Sequence, residues 1–230
     1  MKITKDNEII RKVTVLAFIL TFAMMLYNSV QINAIETTLG RPQLDVSSQK
    51  TSNVNLLVQK SDIIPTGKPQ YYGDELGFLY DDIDPYNAQK ANQAISKLGN
   101  LDRTLNVEGA NLQRYIKILY HDNSGISCEF CCGARSVIFE NGQPACGCAH
   151  SYAMRGITKY LILNHPDMKD KDILKEVARL KILFFPTIHE AKAQVMEEKG
   201  IEFDEILLAT NEYRGIEKGT PTGSAMVGGC

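Results

Sequence analysis

At 230 residues, 44% of them hydrophobic and 23% charged, the chain has the composition of a folded protein and the length for one ordinary domain plus an appendage. Its formal net charge of -2 and isoelectric point near 6.1 supply no general basic field, and no block of Lys and Arg tracks a phosphate backbone. Nucleic acid is therefore excluded as a partner.

Residues 1–34 read as a targeting element. Lys2, Lys5, Arg11 and Lys12 lead into an apolar run from Val13 to Tyr27, followed by small and polar residues. Positive charge is denser before the run than just after it. The positive-inside bias then keeps the N-terminal tip in the cytoplasm and puts everything from Asn28 onward outside. With Tyr27 to Val30 included, the run reaches about 18 residues, just enough to cross the hydrocarbon of a bilayer. The expectation is a single-pass signal anchor in the cell membrane, with secretion after cleavage at Ile32-Asn33-Ala34 as the alternative. A buried core helix fits the flanking charges poorly, and with no cysteine ahead of Cys128 a lipoprotein anchor is not expected.

Residues 35–70 read as a linker and extended segment, rich in Thr, Ser, Gln and Gly from Glu36 to Asn53. Pro65, Gly67, Pro69, Gly73 and Gly77 then punctuate a stretch whose Tyr71, Tyr72, Phe78, Leu79 and Tyr80 can pack against a domain. Asp81, Asp82 and Asp84 lack the Gly and terminal Glu of a calcium loop and read as caps. Asp84-Pro85 forms an N-cap and first-turn pair for a helix with the face Ala88, Ala91, Ile95 and Leu98, closed by Gly99. Leu112, Tyr115, Ile116, Leu119 and Tyr120 share one face of a second helix. Three more helices are predicted, from Ser151 to Asn164, Asp170 to Phe185 and Ile188 to Lys199, the last opening with Thr187 and Glu190 at capping-box spacing. Residues 71–214 thus form a helical domain, and 215–230 a Gly, Thr, Pro and Ser-rich tail expected to be mobile and to end on the thiol of Cys230.

Five of the six cysteines fall in one window: Cys128, Cys131 and Cys132, then Cys146 and Cys148, with His150 following. Tetrahedral zinc needs soft thiolates and imidazoles at about 2.0–2.3 Å from one ion, and ligands two or three residues apart on a tight turn supply that geometry. Between the pairs, Ser136-Val137-Ile138-Phe139 is strand-like and Asn141-Gly142 is a favoured two-residue hairpin turn. A thiol knuckle, a hairpin and ligands at the start of a helix resemble the treble-clef or zinc-ribbon arrangement, in which both ends of the hairpin converge on one metal. That likeness covers about forty residues that include the Cys-rich module 126–150, with Cys-x-Cys-x-His in place of the usual second Cys-x-x-Cys. The fold class is accordingly mainly α with a small β-hairpin metal-binding module, preceded by a transmembrane helix or signal segment.

The metal candidates are Cys128, Cys131, Cys132, Cys146, Cys148 and His150, more than one tetrahedral ion can use. Zinc is the first expectation, copper(I) the alternative for so thiol-rich a cluster, and an iron–sulfur cluster a third whose usual spacings are not met. A disulfide framework competes with metal in an exported chain, although adjacent Cys131 and Cys132 cannot readily bridge each other. His121 and His165 read as capping or surface histidines, His189 falls in the first turn of a helix with no role assigned to it, Met154 reads as core and Arg155 as a surface ion-pair residue. The expected function is a membrane-anchored, extracytoplasmic metal-binding protein whose ion is structural or handled as cargo, and no catalytic residue can be named. The competing class is a thiol–disulfide oxidoreductase that cycles the cluster with Cys230 as a mobile relay. The membrane, through the N-terminal segment, is the partner that can be named, and no protein partner can be read.

Overall fold

A computed structural model describes Thr21, Met24 and residues 63–130, 133–219 and 226–228. The chain divides into two units, Met1–Val54 and Asn55–Cys230. Of the first, Thr21 and Met24 are described and both are helical. Apart from these two residues the predicted signal anchor lies outside the described residues, among which no helix is long and apolar enough to cross a membrane.

The second unit is mainly helical. Its elements in chain order are a single turn α1 (Gly73–Leu76), then α2 (Ala88–Thr104), α3 (Gly109–Ile116), α4 (Ala149–Asn164), α5 (Asp170–Phe184), α6 (Pro186–Glu198) and α7 (Glu205–Ala209). Before α2 the chain is compact, with Tyr72, Phe78, Tyr80 and Ile83 buried. The acidic residues there act as caps: Asp81 accepts from the Gly67 amide at 2.7 Å, Asp82 from the Leu79 amide at 2.8 Å and Asp84 from the Tyr86 amide at 2.8 Å.

Helix α2 begins later than Asp84-Pro85 predicts, because Asn87 is its cap and accepts from the Lys90 amide. Nor does Gly99 end it. The glycine lies on the buried face, where a Cβ would meet Cβ of Tyr152 at 3.2 Å, and α2 continues for five more residues to Thr104. Opposite, Gly156 of α4 sits so close that a Cβ would lie 2.2 Å from the Leu98 carbonyl oxygen and 2.9 Å from the Asp102 amide. Two glycines thus let α2 and α4 pack backbone against backbone.

Helices α4 and α5 form the centre. Buried residues of α4 run from His150 through Ala153, Met154, Ile157 and Leu161 to Ile162, and those of α5 from Ile173 and Leu174 through Val177 to Phe184. Helix α6 starts at Pro186, whose fixed φ and missing N–H suit a first helical position, with Phe185 as cap in place of the expected Thr187–Glu190 box. Helix α7, which no periodic pattern announced, is capped by Asp204 accepting from the Leu207 amide at 3.0 Å.

Helix α3 widens into a π turn over Lys117–His121. That turn leaves the Leu119 carbonyl to accept the Ile126 amide at 3.0 Å and the Ser136 hydroxyl at 2.8 Å, so the helix end becomes the anchor of the following loop. Within the loop the chain reverses at Asn141-Gly142, with one antiparallel bridge between Ile138 and Pro144 and backbone bonds from Phe139 to Gln143 and from Ala145 to Val137. No regular strand forms among the described residues.

Candidate metal centre

The loop 125–148 and the start of α4 bring three sulfurs together. Sγ of Cys148 lies 3.5 Å from Sγ of Cys128 and 3.6 Å from Sγ of Cys146. These separations exceed a disulfide bond of about 2.05 Å and approach the edge of about 3.8 Å that a tetrahedron of zinc–sulfur bonds spans. The ligand atoms of Cys128, Cys148 and His150 all fall within 4.8 Å of one another, and Cys146 joins the group through Cys148. Cys131 and Cys132 lie outside the described residues, as does Cys230.

Helix geometry places two of these groups. Cys148 is the N-cap of α4, its sulfur accepting from the Ser151 amide at 3.4 Å with the Ser151 hydroxyl at 3.3 Å. A helix N-terminus favours negative charge, so the position suits a thiolate. The Cys148 thiol is held far below its ordinary pKa, first by its hydrogen bond with Cys128 and also by Ser151, against the opposing effect of burial.

His150, on the first turn of α4, is fully buried between Phe184 and Phe185, with ring centroids 4.6 and 5.2 Å away. Its Nε2 lies 2.8 Å from the Val227 carbonyl oxygen. A carbonyl only accepts, so Nε2 is the nitrogen that donates to it, which leaves Nδ1 as the other nitrogen of the ring. That Nδ1 is buried and has no hydrogen-bond partner. Histidine ligands commonly donate their second nitrogen to a backbone carbonyl in this way, which fixes the tautomer and aims the other nitrogen at the ion. Two thiols near tetrahedral spacing and an imidazole beside them could hold a metal ion.

The loop that carries the thiols is fastened from outside its own sequence. Arg155 is fully buried, not a surface residue as predicted: it pairs with Asp102 at 2.8 Å and donates to the carbonyls of Cys146 at 2.8 Å and Val137 at 3.2 Å. On the other side, Glu129 adopts a left-handed backbone with φ of 57° and pairs with the fully buried Lys181 at 2.8 Å. Lys181 also donates to the Ala209 carbonyl at 2.7 Å, and burial lowers its pKa against the pull of Glu129. Arg214 reaches the carbonyls of Gly133 and Ala134, both at 3.0 Å.

Sequence reasoning missed Lys181, Glu129, Asp102 and Val227. One signal was present: Lys181 stands four residues after Val177 and seven after Leu174, so a charge sits on the apolar stripe of α5. His121 is exposed and His165 pairs with Glu75 at 3.1 Å on the surface, while His189 is buried against the Phe185 carbonyl at 2.8 Å. None of the three belongs to the thiol group. Among known proteins, no family model, curated sequence or solved structure matches the chain.

Proposed function

We propose that the chain is a membrane-anchored, extracytoplasmic protein that holds a soft metal ion on Cys128, Cys148 and His150, with a further thiolate from Cys146, Cys131 or Cys132. The observation that carries this reading is the state of His150, whose Nε2 is committed to Val227 while Nδ1 is buried and unsatisfied, on a ring that groups with two thiols. Zinc is the preferred ion, because mixed thiolate and imidazole ligands at these spacings suit its tetrahedral geometry, and copper(I) is the alternative. The reversal at Asn141-Gly142 is read as a minimal hairpin of treble-clef or zinc-ribbon type, with the thiol knuckle at one end and Cys148 at the other. Anchoring rests on the basic residues ahead of Val13–Tyr27.

A thiol–disulfide oxidoreductase is the second reading, favoured by the depressed pKa of the half-exposed Cys148 at a helix N-terminus. In that version Cys148 and a neighbouring thiol would close to a disulfide, passing two electrons and two protons to an external disulfide substrate, with Cys230 as the relay thiol. One experiment separates the two: elemental analysis of the full-length chain purified in detergent without added metal, paired with a count of reactive thiols. About one zinc or copper per chain, lost in the double variant Cys128→Ser, Cys148→Ser, is the expected result. A metal-free chain whose thiols interconvert reversibly with a disulfide overturns the metal reading in favour of the redox one.

A further inference from the structure

The tripeptide Met226-Val227-Gly228, two residues before the end of the sequence, is docked against the candidate centre. The Val227 side chain is 3% exposed and joins the core. Its amide donates at 2.9 Å to the carbonyl of Phe184, the last residue of α5. Its carbonyl accepts from Nε2 of His150. One residue thus satisfies the end of a helix through its amide and fixes the tautomer of a candidate metal ligand through its carbonyl.

Gly228 makes the docking selective. Its φ is +80°, and a Cβ there would lie 2.5 Å from Cδ1 of Ile95, 3.1 Å from Oδ1 of Asn92 and 3.7 Å from Nε2 of His150. Only a residue without a side chain lets the strap pass between α2 and the His150 ring.

We propose, resting on the metal reading above, that residues 226–228 are a positioning strap whose docking and the loading of metal on His150 are coupled. With the strap seated, Nε2 is held as donor and Nδ1 is aimed at the ion. With it withdrawn, the ring can rotate or exchange tautomer, and the ligand set loses a member for part of the time. Coupling between two equilibria is reciprocal, so the factor by which the strap tightens metal binding is the factor by which metal tightens strap docking. The strap makes the state of the metal readable at the C-terminus, where docked and released forms present different surfaces.

The test uses the full-length chain in detergent with zinc and cobalt(II) as probes. Zinc affinity is measured by competition with a chelator, and the cobalt spectrum reports thiolate and imidazole ligation. Gly228→Val and a chain ending at Gly219 should bind zinc about 10–100-fold more weakly, the usual effect of losing the group that orients a histidine ligand. Cys230→Ser should bind as the unmodified chain does, since the strap acts through the Val227 carbonyl. In the unmodified chain, zinc should slow hydrogen exchange at the Val227 amide by a comparable factor, a reading that requires no variant to fold. Unchanged affinity in Gly228→Val and the shortened chain, or a full loss reproduced by Cys230→Ser alone, overturns the strap while leaving the metal site standing. An unmodified chain that binds neither ion sinks the metal reading and the strap with it.

Discussion

The helical frame and the thiol loop are stabilised in opposite ways. In the frame, α2 and α4 meet through glycines and apolar side chains, and each helix satisfies its own backbone. Among its described residues the loop 125–148 has one bridge and few internal bonds, so its carbonyls depend on donors carried by distant elements: Arg155 on α4, and Asn211 and Arg214 beyond α7. Lys181 on α5 holds Glu129 in the loop. A loop that must place several thiols around one point cannot also run as a regular ladder, and every backbone group it leaves unpaired has to be met from elsewhere. The comparison is sharpest at two adjacent residues of α4, where Arg155 fastens the loop and Gly156 admits α2.

Breaking the loop side should have the larger effect. Arg155→Met removes the charge that Asp102 faces and the donor that Arg155 gives to the carbonyls of Val137 and Cys146, although Lys159 remains 2.6 Å from Asp102 and the Ala145 amide still donates to Val137. The expected loss is about 3–5 kcal/mol in denaturant unfolding, the usual result of removing one partner of a buried ion pair. A weaker, distorted cobalt spectrum should accompany it, because the Cys146 carbonyl loses its tether. A loss under about 1 kcal/mol, within the range of an exposed pair, would show that the loop does not depend on this arginine. Breaking the frame side with Gly156→Ala should cost about 1–3 kcal/mol, since the new Cβ drives α2 and α4 apart. Its cobalt spectrum should stay unchanged, and a changed spectrum would mean that loop and frame are not separable.

The same division decides what could be read from the sequence. Helices α2 to α6 were legible because apolar residues recur at helical spacing, and the mainly α character follows from them. The mistakes lay at boundaries. Gly99 reads as a stop and is a contact, and Thr187 with Glu190 reads as a cap where Pro186 opens the helix. The cysteines and His150 stood out by clustering, yet the residues that fasten the loop did not. Arg155, Asp102, Lys181 and Glu129 find their partners across 53 or 52 positions of chain, and no local pattern records such a pairing. Val227 was hidden inside a segment whose Gly-rich composition suggested mobility, because backbone donors and acceptors carry no signature in residue type.

A subtler probe of the loop side is its response to pH. His189 lies under Phe130 with ring centroids 6.1 Å apart, its Nδ1 hydrogen-bonded to the Phe185 carbonyl. Burial pushes its pKa well below the ordinary value of 6.5, and the nearby charges of Lys181 and Lys192 push it further, against the Phe185 carbonyl. The folded chain therefore keeps His189 neutral at a pH where the unfolded chain takes up a proton. Its contribution to stability is complete above pH 6.5 and is lost as pH falls from there toward the depressed folded-state pKa, at roughly 1.4 kcal/mol per pH unit once the unfolded histidine is protonated. His189→Gln cannot titrate, so its stability should fall less between pH 7 and pH 5.5 than that of the unmodified chain, by about 1 kcal/mol, with both measured in chelator. Equal pH dependence in the two proteins would show that His189 is charged or hydrated in the fold. The packing of Phe130 and Lys181 beneath the thiol loop would then be looser than the frame it rests on.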